Sequence, residues 1–331
     1  MRPRAIPFTL GFLALACLAT ASESPPDLDR DIPFHGGTTV RFATAEEAAK
    51  VLGARDDYVR AMSPLDRMFR LKSEAPVDED RYLKHAASQA MDWGKEEIAS
   101  LTAHVESASR KLDAVGLHLP LPETILLVRT SAGLSFGLPH TRQNAIILPE
   151  TYLQIPAAYL EQLLLHETFH VMTRHRPEIR DALFAVLGFE VCGEVALPEP
   201  LAARLLANPD AYHTRHCIVV EAGGESVPVV PVAIAKVDRF TGGNPIEAVD
   251  FKLMAIEKTN GEYRPRLDSG EPILHGRLDV EGYFEKIGRN TMYTIHPEEI
   301  AADNFALMVR QADDVSNPEI LEAFRKILSQ E

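Results

Sequence analysis

The sequence predicts an α+β fold, mainly helical, with a small sheet packed on one central helix and a long loop-and-strand insertion. Three observations carry this reading. Residues 44–116 read as successive helices, and two β-branched segments, Thr124–Thr130 and 144–148, read as strands. An apolar run over 157–174 has neither Gly nor Pro and reads as a helix buried on most sides. Between about 188 and 290 the texture changes to Gly, Pro and β-rich composition, which marks the insertion.

The first residues are read as separate from the fold. Arg2 and Arg4 precede an apolar stretch over 6–18, and Ala19, Thr20 and Ala21 form a small-residue cleavage pattern. This is the pattern of an export signal peptide, too short and wrongly flanked for a membrane span. Cleavage after Ala21 is the favoured expectation, with lipoprotein processing at Cys17 as the alternative. The mature protein is then periplasmic or extracellular. Residues 22–43 carry Pro25, Pro26, Pro33 and a Gly pair, and are expected as an extended arm. The main domain is expected over 44–331.

Within it, 45–52, 57–71, 78–91 and 94–115 are helix candidates. The last has Ile98, Leu101, Val105, Ala108 and Leu112 on one stripe. Pro120 and Pro122 close this region, and the Gly, Ser and Pro residues of 131–139 fit a connection between the two strands. Pro156 opens the central helix where a missing N–H costs nothing, and Arg174, His175 and Pro177 mark its end. Helices are expected again over 178–187, 297–308 and 318–329.

Charge narrows the partners. Loss of Arg2 and Arg4 takes the formal net charge from −14 to −16, and a chain this acidic is a poor partner for nucleic acid or anionic lipid. No stretch beyond the leader is long and apolar enough for a membrane span. Cys192 and Cys217 remain after leader removal, and an exported chain permits a disulfide between them, worth about 3 kcal/mol in the chain-entropy model. Two unpaired thiols are the alternative.

The central helix carries His166-Glu167-Thr168-Phe169-His170, an HExxH pattern. Residues four apart on an α-helix share a face, so both imidazoles point the same way from adjacent turns. Two neutral imidazoles make half of a tetrahedral zinc site, and Glu167 beside them can act as general base on a zinc-activated water. A catalytic zinc needs a third protein ligand. Thr173 and Arg176 exclude the pattern in which a third histidine follows six residues on. The best candidate is Glu299 in His296-Pro297-Glu298-Glu299-Ile300-Ala301-Ala302-Asp303. Pro297 starts a helix there, and Glu299 and Asp303 lie four apart on one face. Ala302 is small enough to let that helix approach the HExxH helix. Carboxylates in a first turn are favoured by the helix dipole alone, so this pairing rests on the need of the HExxH pattern for a partner. Glu190, 20 residues after His170, is the runner-up, and His296 a further alternative.

HETFH followed later by EIAAD resembles the gluzincin zinc metallopeptidases, the thermolysin-like group, in which HExxH is completed by the Glu of an ExxxD motif on a second helix. The resemblance covers the strand pair and the two motif helices. It implies one zinc per chain held by His166, His170 and Glu299, with Glu167 as general base. It also implies that Asp303 hydrogen-bonds a ligand imidazole and fixes its tautomer. The interval of 129 residues from His170 to Glu299 is far longer than in thermolysin-like enzymes.

Tyr293 and His296, just before the Glu299 helix, are the candidates for an oxyanion donor. His213 and His216 are read as a surface cluster in preference to a second metal site. The 144–148 strand is expected as the edge along which an extended peptide aligns. The expected activity is hydrolysis of peptide bonds in a peptide or protein substrate. The alternatives are a zinc hydrolase acting on a non-peptide amide and a non-catalytic zincin-like binding protein.

Overall fold

The computed structural model describes residues 31–329, so the leader, its cleavage after Ala21 and the alternative at Cys17 lie outside the described residues. The fold is α+β, with 43% of the described residues in helices and 23% in strands, which puts the weight on helices as the sequence predicts.

The stretch expected as an arm is, from residue 31 on, part of the sheet. It forms β1 (Asp31–Pro33) and β2 (Thr39–Phe42). Val40 and Phe42 are buried while Thr39 and Arg41 are not, the two-residue period of a strand with one face in the core. The four-residue length of β2, next to Pro33 and the Gly pair, hides that period in the sequence.

The helical layer follows. Thr44 caps α1 (Ala45–Leu52) in a reciprocal capping box with Glu47. The stretch expected as one helix over 57–71 is two, α2 (Asp57–Ala61) and α3 (Pro64–Leu71). Pro64 cannot donate in a helix interior, so the chain restarts there with Ser63 as cap, its side chain accepting from Asp66 N–H. After α4 (Glu79–Ser88) comes the two-residue β3 (Ala90–Met91). The stripe of α5 (Lys95–Ala114) is buried at all five expected positions.

Strand β4 (Thr124–Thr130) lies at the centre of the first sheet. Strands β2 and β6 (Ala145–Pro149) flank it in parallel, and β5 (His140–Arg142) runs antiparallel on the far side of β6. The segment expected as the edge is therefore interior. The edge strand is β5, whose three polar residues give no hydrophobic alternation to read. The HExxH helix is α6 (Ala157–His175), and α7 (Pro177–Val186) follows directly.

The insertion builds a second, antiparallel sheet. It contains β7 (Phe189–Val191), the short α8 (Glu199–Ala202), β8 (His216–Ala222), β9 (Glu225–Ala235), β10 (Val249–Thr259) and β11 (Glu262–Pro265). Helices α9 (Tyr283–Ile287), α10 (Pro297–Val309) and α11 (Pro318–Leu328) close the chain. Cys192 and Cys217 are free thiols, against the expected disulfide. Cys192 lies just past the end of β7 and its thiol donates to the Gly193 carbonyl at 3.4 Å.

Two features of packing position the site. Ala301 and Ala302 of α10 are fully buried, and Phe305 of α10 meets Phe169 of α6 with ring centroids 5.5 Å apart. The small alanines bring the two helices close. The second feature is a buried ion pair on α3, Arg70 Nε to Asp66 Oδ1 at 2.9 Å. It clamps the insertion, because Asp66 Oδ2 accepts the Ala207 N–H at 3.0 Å and Arg70 donates to the Ala207 carbonyl. Arg70→Ala would leave Asp66 buried and uncompensated. It is expected to cost about 3–5 kcal/mol of stability, read by denaturant unfolding.

Candidate metal centre

Helices α6 and α10 run side by side in opposite senses, so Glu298 and Glu299 come level with His170 while Asp303 comes level with His166. Glu299 Oε2 lies 3.1 Å from His166 Nε2 and 3.6 Å from His170 Nε2. The imidazole centroids are 4.7 Å apart, and all three candidate ligand atoms fall within 4.8 Å of one another. The spacing and the donor set, two imidazoles and a carboxylate, fit a zinc ion. Glu190 is exposed on β7, where it pairs in register with Cys217, and takes no part in this cluster.

The outer nitrogens are held as well. His166 Nδ1 bonds Asp303 Oδ1 at 2.9 Å, as the resemblance implies, and Thr291 donates its hydroxyl to the other Asp303 oxygen. His170 Nδ1 faces Glu298 Oε1 at 3.4 Å, and that oxygen also accepts from Thr173 at 2.6 Å. Each of the two imidazoles thus has its own carboxylate partner, which fixes the tautomer that presents Nε2 to a metal. Glu298 is a residue the sequence reading left in a first-turn role. Its signal was there in the adjacent acids, whose side chains leave a helix about 100° apart and so reach different neighbours. Asp303→Ala is expected to weaken zinc binding by about 10–100-fold without unfolding the protein, measured by chelator competition.

The insertion contributes a further contact. Asn208, one residue past the Ala207 clamp, donates from Nδ2 to Glu299 Oε1 at 2.5 Å, while Oε2 faces the histidines. That bond holds the carboxylate so that one oxygen only is turned to the metal position. Asn208→Ala is expected to weaken zinc binding by about tenfold with unchanged stoichiometry, again by chelator competition. Nothing in the spacing of 208 to 299 signals this contact, because it depends on how the insertion folds back.

Burial and charge set the ionisation of the centre. Burial opposes the charged His166 imidazolium, but its bonds to Asp303 and Glu299 outweigh this and raise its pKa to about 9. Burial likewise opposes charge on His170, yet Asp210 and Glu299 push its pKa well up, while the histidines hold the buried Glu299 well down. A metal ion taken up here would have to displace protons from the imidazoles. Glu167 is 3% exposed and its Oε2 is buried with no hydrogen-bond partner. Burial first, then the Asp210 carboxylate, raise its pKa to about 8. A dication beside it would draw that value down.

His296 accepts the Glu298 N–H on Nδ1, and Nε2 faces the His213 carbonyl at 3.4 Å. Both ring nitrogens are thereby committed to capping α10 and holding the insertion, which leaves no donor for an oxyanion. Burial pushes its pKa down to about 4. Tyr293 lines the cleft, and among the described residues its hydroxyl makes no hydrogen bond. Tyr293 is 38% exposed, and its pKa is raised, first by the protein around the ring and then by Glu299 and Asp210. Tyr152 is raised by burial and by Glu167. His216 is buried against Asp181 at 2.8 Å, and His213 bonds Glu194 at 3.1 Å, so both are engaged in structural contacts.

The centre opens into a cleft of about 810 Å³, walled largely by apolar side chains such as Phe136, Ile155, Leu163, Val232 and Phe251. The β5 edge beside it is closed. Thr141 N–H donates to Asp210 Oδ1 at 2.9 Å, and Arg174 donates to the Gln143 carbonyl at 3.1 Å. Among the described residues no helix is long and apolar enough to cross a membrane. No protein-family model matches the chain, and neither a curated protein nor a solved structure matches it.

Proposed function

We propose that the chain is an exported zinc-dependent metallopeptidase of the gluzincin type. The observation that carries this is the meeting of His166 Nε2, His170 Nε2 and Glu299 Oε2 beside a buried Glu167 with an unpartnered oxygen. When bound there, zinc supplies Lewis acidity to water and to the scissile carbonyl. The chain's own residues do the rest. Glu167 takes the proton of the attacking water and returns it to the leaving amine. Tyr293 offers its hydroxyl to the developing oxyanion. Asp303, Glu298 and Asn208 hold the ligands in register.

One observation favours the second reading, a hydrolase of a non-peptide amide. The closed β5 edge withholds the backbone pairing that would align an extended chain. A cleft of about 810 Å³ admits a short peptide as well as a smaller amide, and the likeness of the ligand set to the gluzincin pattern keeps peptides first. The test is hydrolysis of a mixed peptide library by the zinc-loaded full chain, followed by mass spectrometry. Zinc-dependent cleavage products are expected. A zinc-loaded chain that cleaves no peptide would overturn the peptidase reading.

A further inference from the structure

Asp210 is a charged group that the chemistry above does not use. Its side chain is 5% exposed, and Oδ1 alone is bonded, to the Thr141 amide and hydroxyl and to Arg174 at 3.4 Å. Three donors on one oxygen hold the carboxylate rigidly, and Pro209 beside it limits the backbone. Among the described residues Oδ2 has no hydrogen bond. A carboxylate oxygen of Asp210 lies within 4.8 Å of Glu167 and of His170, on the general base's side of the centre and outside the three-ligand cluster. Two carboxylates thus face each other at the reacting position, and the buried Glu167 Oε2 is also without a partner.

The local charge says what would satisfy them. Five carboxyl groups gather here, those of Glu167, Asp210, Glu298, Glu299 and Asp303. Arg174 at 3.4 Å is the cationic side chain that pairs with Asp210, and it does so on Oδ1. The free Oδ2 faces the cleft side of the centre among these carboxylates, where a cationic donor binds better than a neutral one. The same residue also blocks the alternative way of holding a chain, since Asp210 itself takes the outward amide of β5. What this wall offers a substrate is a carboxylate in place of a strand edge.

We propose that Asp210 binds the free α-amino group of a peptide, so that the chain is an aminopeptidase acting on N-termini. This rests on the metallopeptidase reading and deepens it. The ammonium sits between Asp210 and the reacting carbonyl of the first residue, and that residue's side chain enters the apolar cleft. The covalent step is plain amide hydrolysis. Water oxygen bonds to the carbonyl carbon, the C–N bond breaks, and the proton taken by Glu167 ends on the leaving amine.

The test uses the zinc-loaded full chain with a leucine-initiated tetrapeptide, either free or N-acetylated. The free peptide is expected to lose its first residue, and acetylation to lower kcat/KM by at least about 100-fold, as expected for a site whose buried charge is left unpaired. Asp210→Asn is expected to raise KM for the free peptide at least about tenfold at unchanged zinc content and to narrow the gap between the two peptides. Leucinamide should inhibit the wild type competitively and N-acetyl-leucinamide should not, a comparison that stands even if Asp210→Asn does not fold. Equal cleavage of both peptides, or cleavage at internal bonds, overturns the proposal while leaving the peptidase reading intact. No cleavage of either peptide by a chain that cleaves the mixed library overturns this proposal alone, and no cleavage of the library overturns both.

Discussion

Glu167→Gln is expected to keep its zinc and lose at least about 10²-fold in kcat, the scale of removing a general base. The amide fills the same volume and touches no ligand atom, so metal content by elemental analysis should match the wild type. Only proton acceptance is lost. The neutral amide also removes a buried carboxylate that lies next to Asp210. The variant is therefore expected to be at least as stable as the parent in thermal unfolding, a sign opposite to that of most buried substitutions. Near-normal turnover would remove Glu167 from its role and the peptidase reading would lose its chemistry.

Glu299→Ala is expected to do more, because it takes away a candidate ligand. The two imidazoles alone leave half a tetrahedral site, and zinc affinity should fall well beyond the 10–100-fold expected for Asp303→Ala. The same change frees Asn208 Nδ2 and leaves it without its acceptor. Chelator competition on the two variants side by side gives the ranking. Equal losses would mean that Glu299 is a partner of the histidines rather than a ligand. Retention of zinc by Glu299→Ala would take the carboxylate out of the site altogether.

The parts of the centre that were legible lie on helices with period and punctuation. His166 and His170 share a face because they are four apart, and Glu299 and Asp303 do so for the same reason. Pro156 and Pro297 marked the starts of both helices. Pairing two such helices across 129 residues needed only the demand of a metal for a third ligand. What was hidden lies where side chains meet through tertiary folding alone. Asn208 and Asp210 sit in an Asn-Pro-Asp run that reads as an ordinary turn, and the Asp66–Arg70 clamp together with the Thr141 and Arg174 bonds to Asp210 carries that run to the metal position. Strand β5 is three polar residues long, and its strand identity comes from pairing with β6. The split at Pro64 was visible in the sequence, and the helix pattern on either side outweighed it.

The centre as a whole stands or falls on metal content. The purified chain, dialysed against micromolar zinc and then against metal-free buffer, is expected to retain one zinc per chain by elemental analysis. Binding of that ion should release protons from the raised imidazoles at neutral pH. A chain that holds no zinc under these conditions would contradict the account.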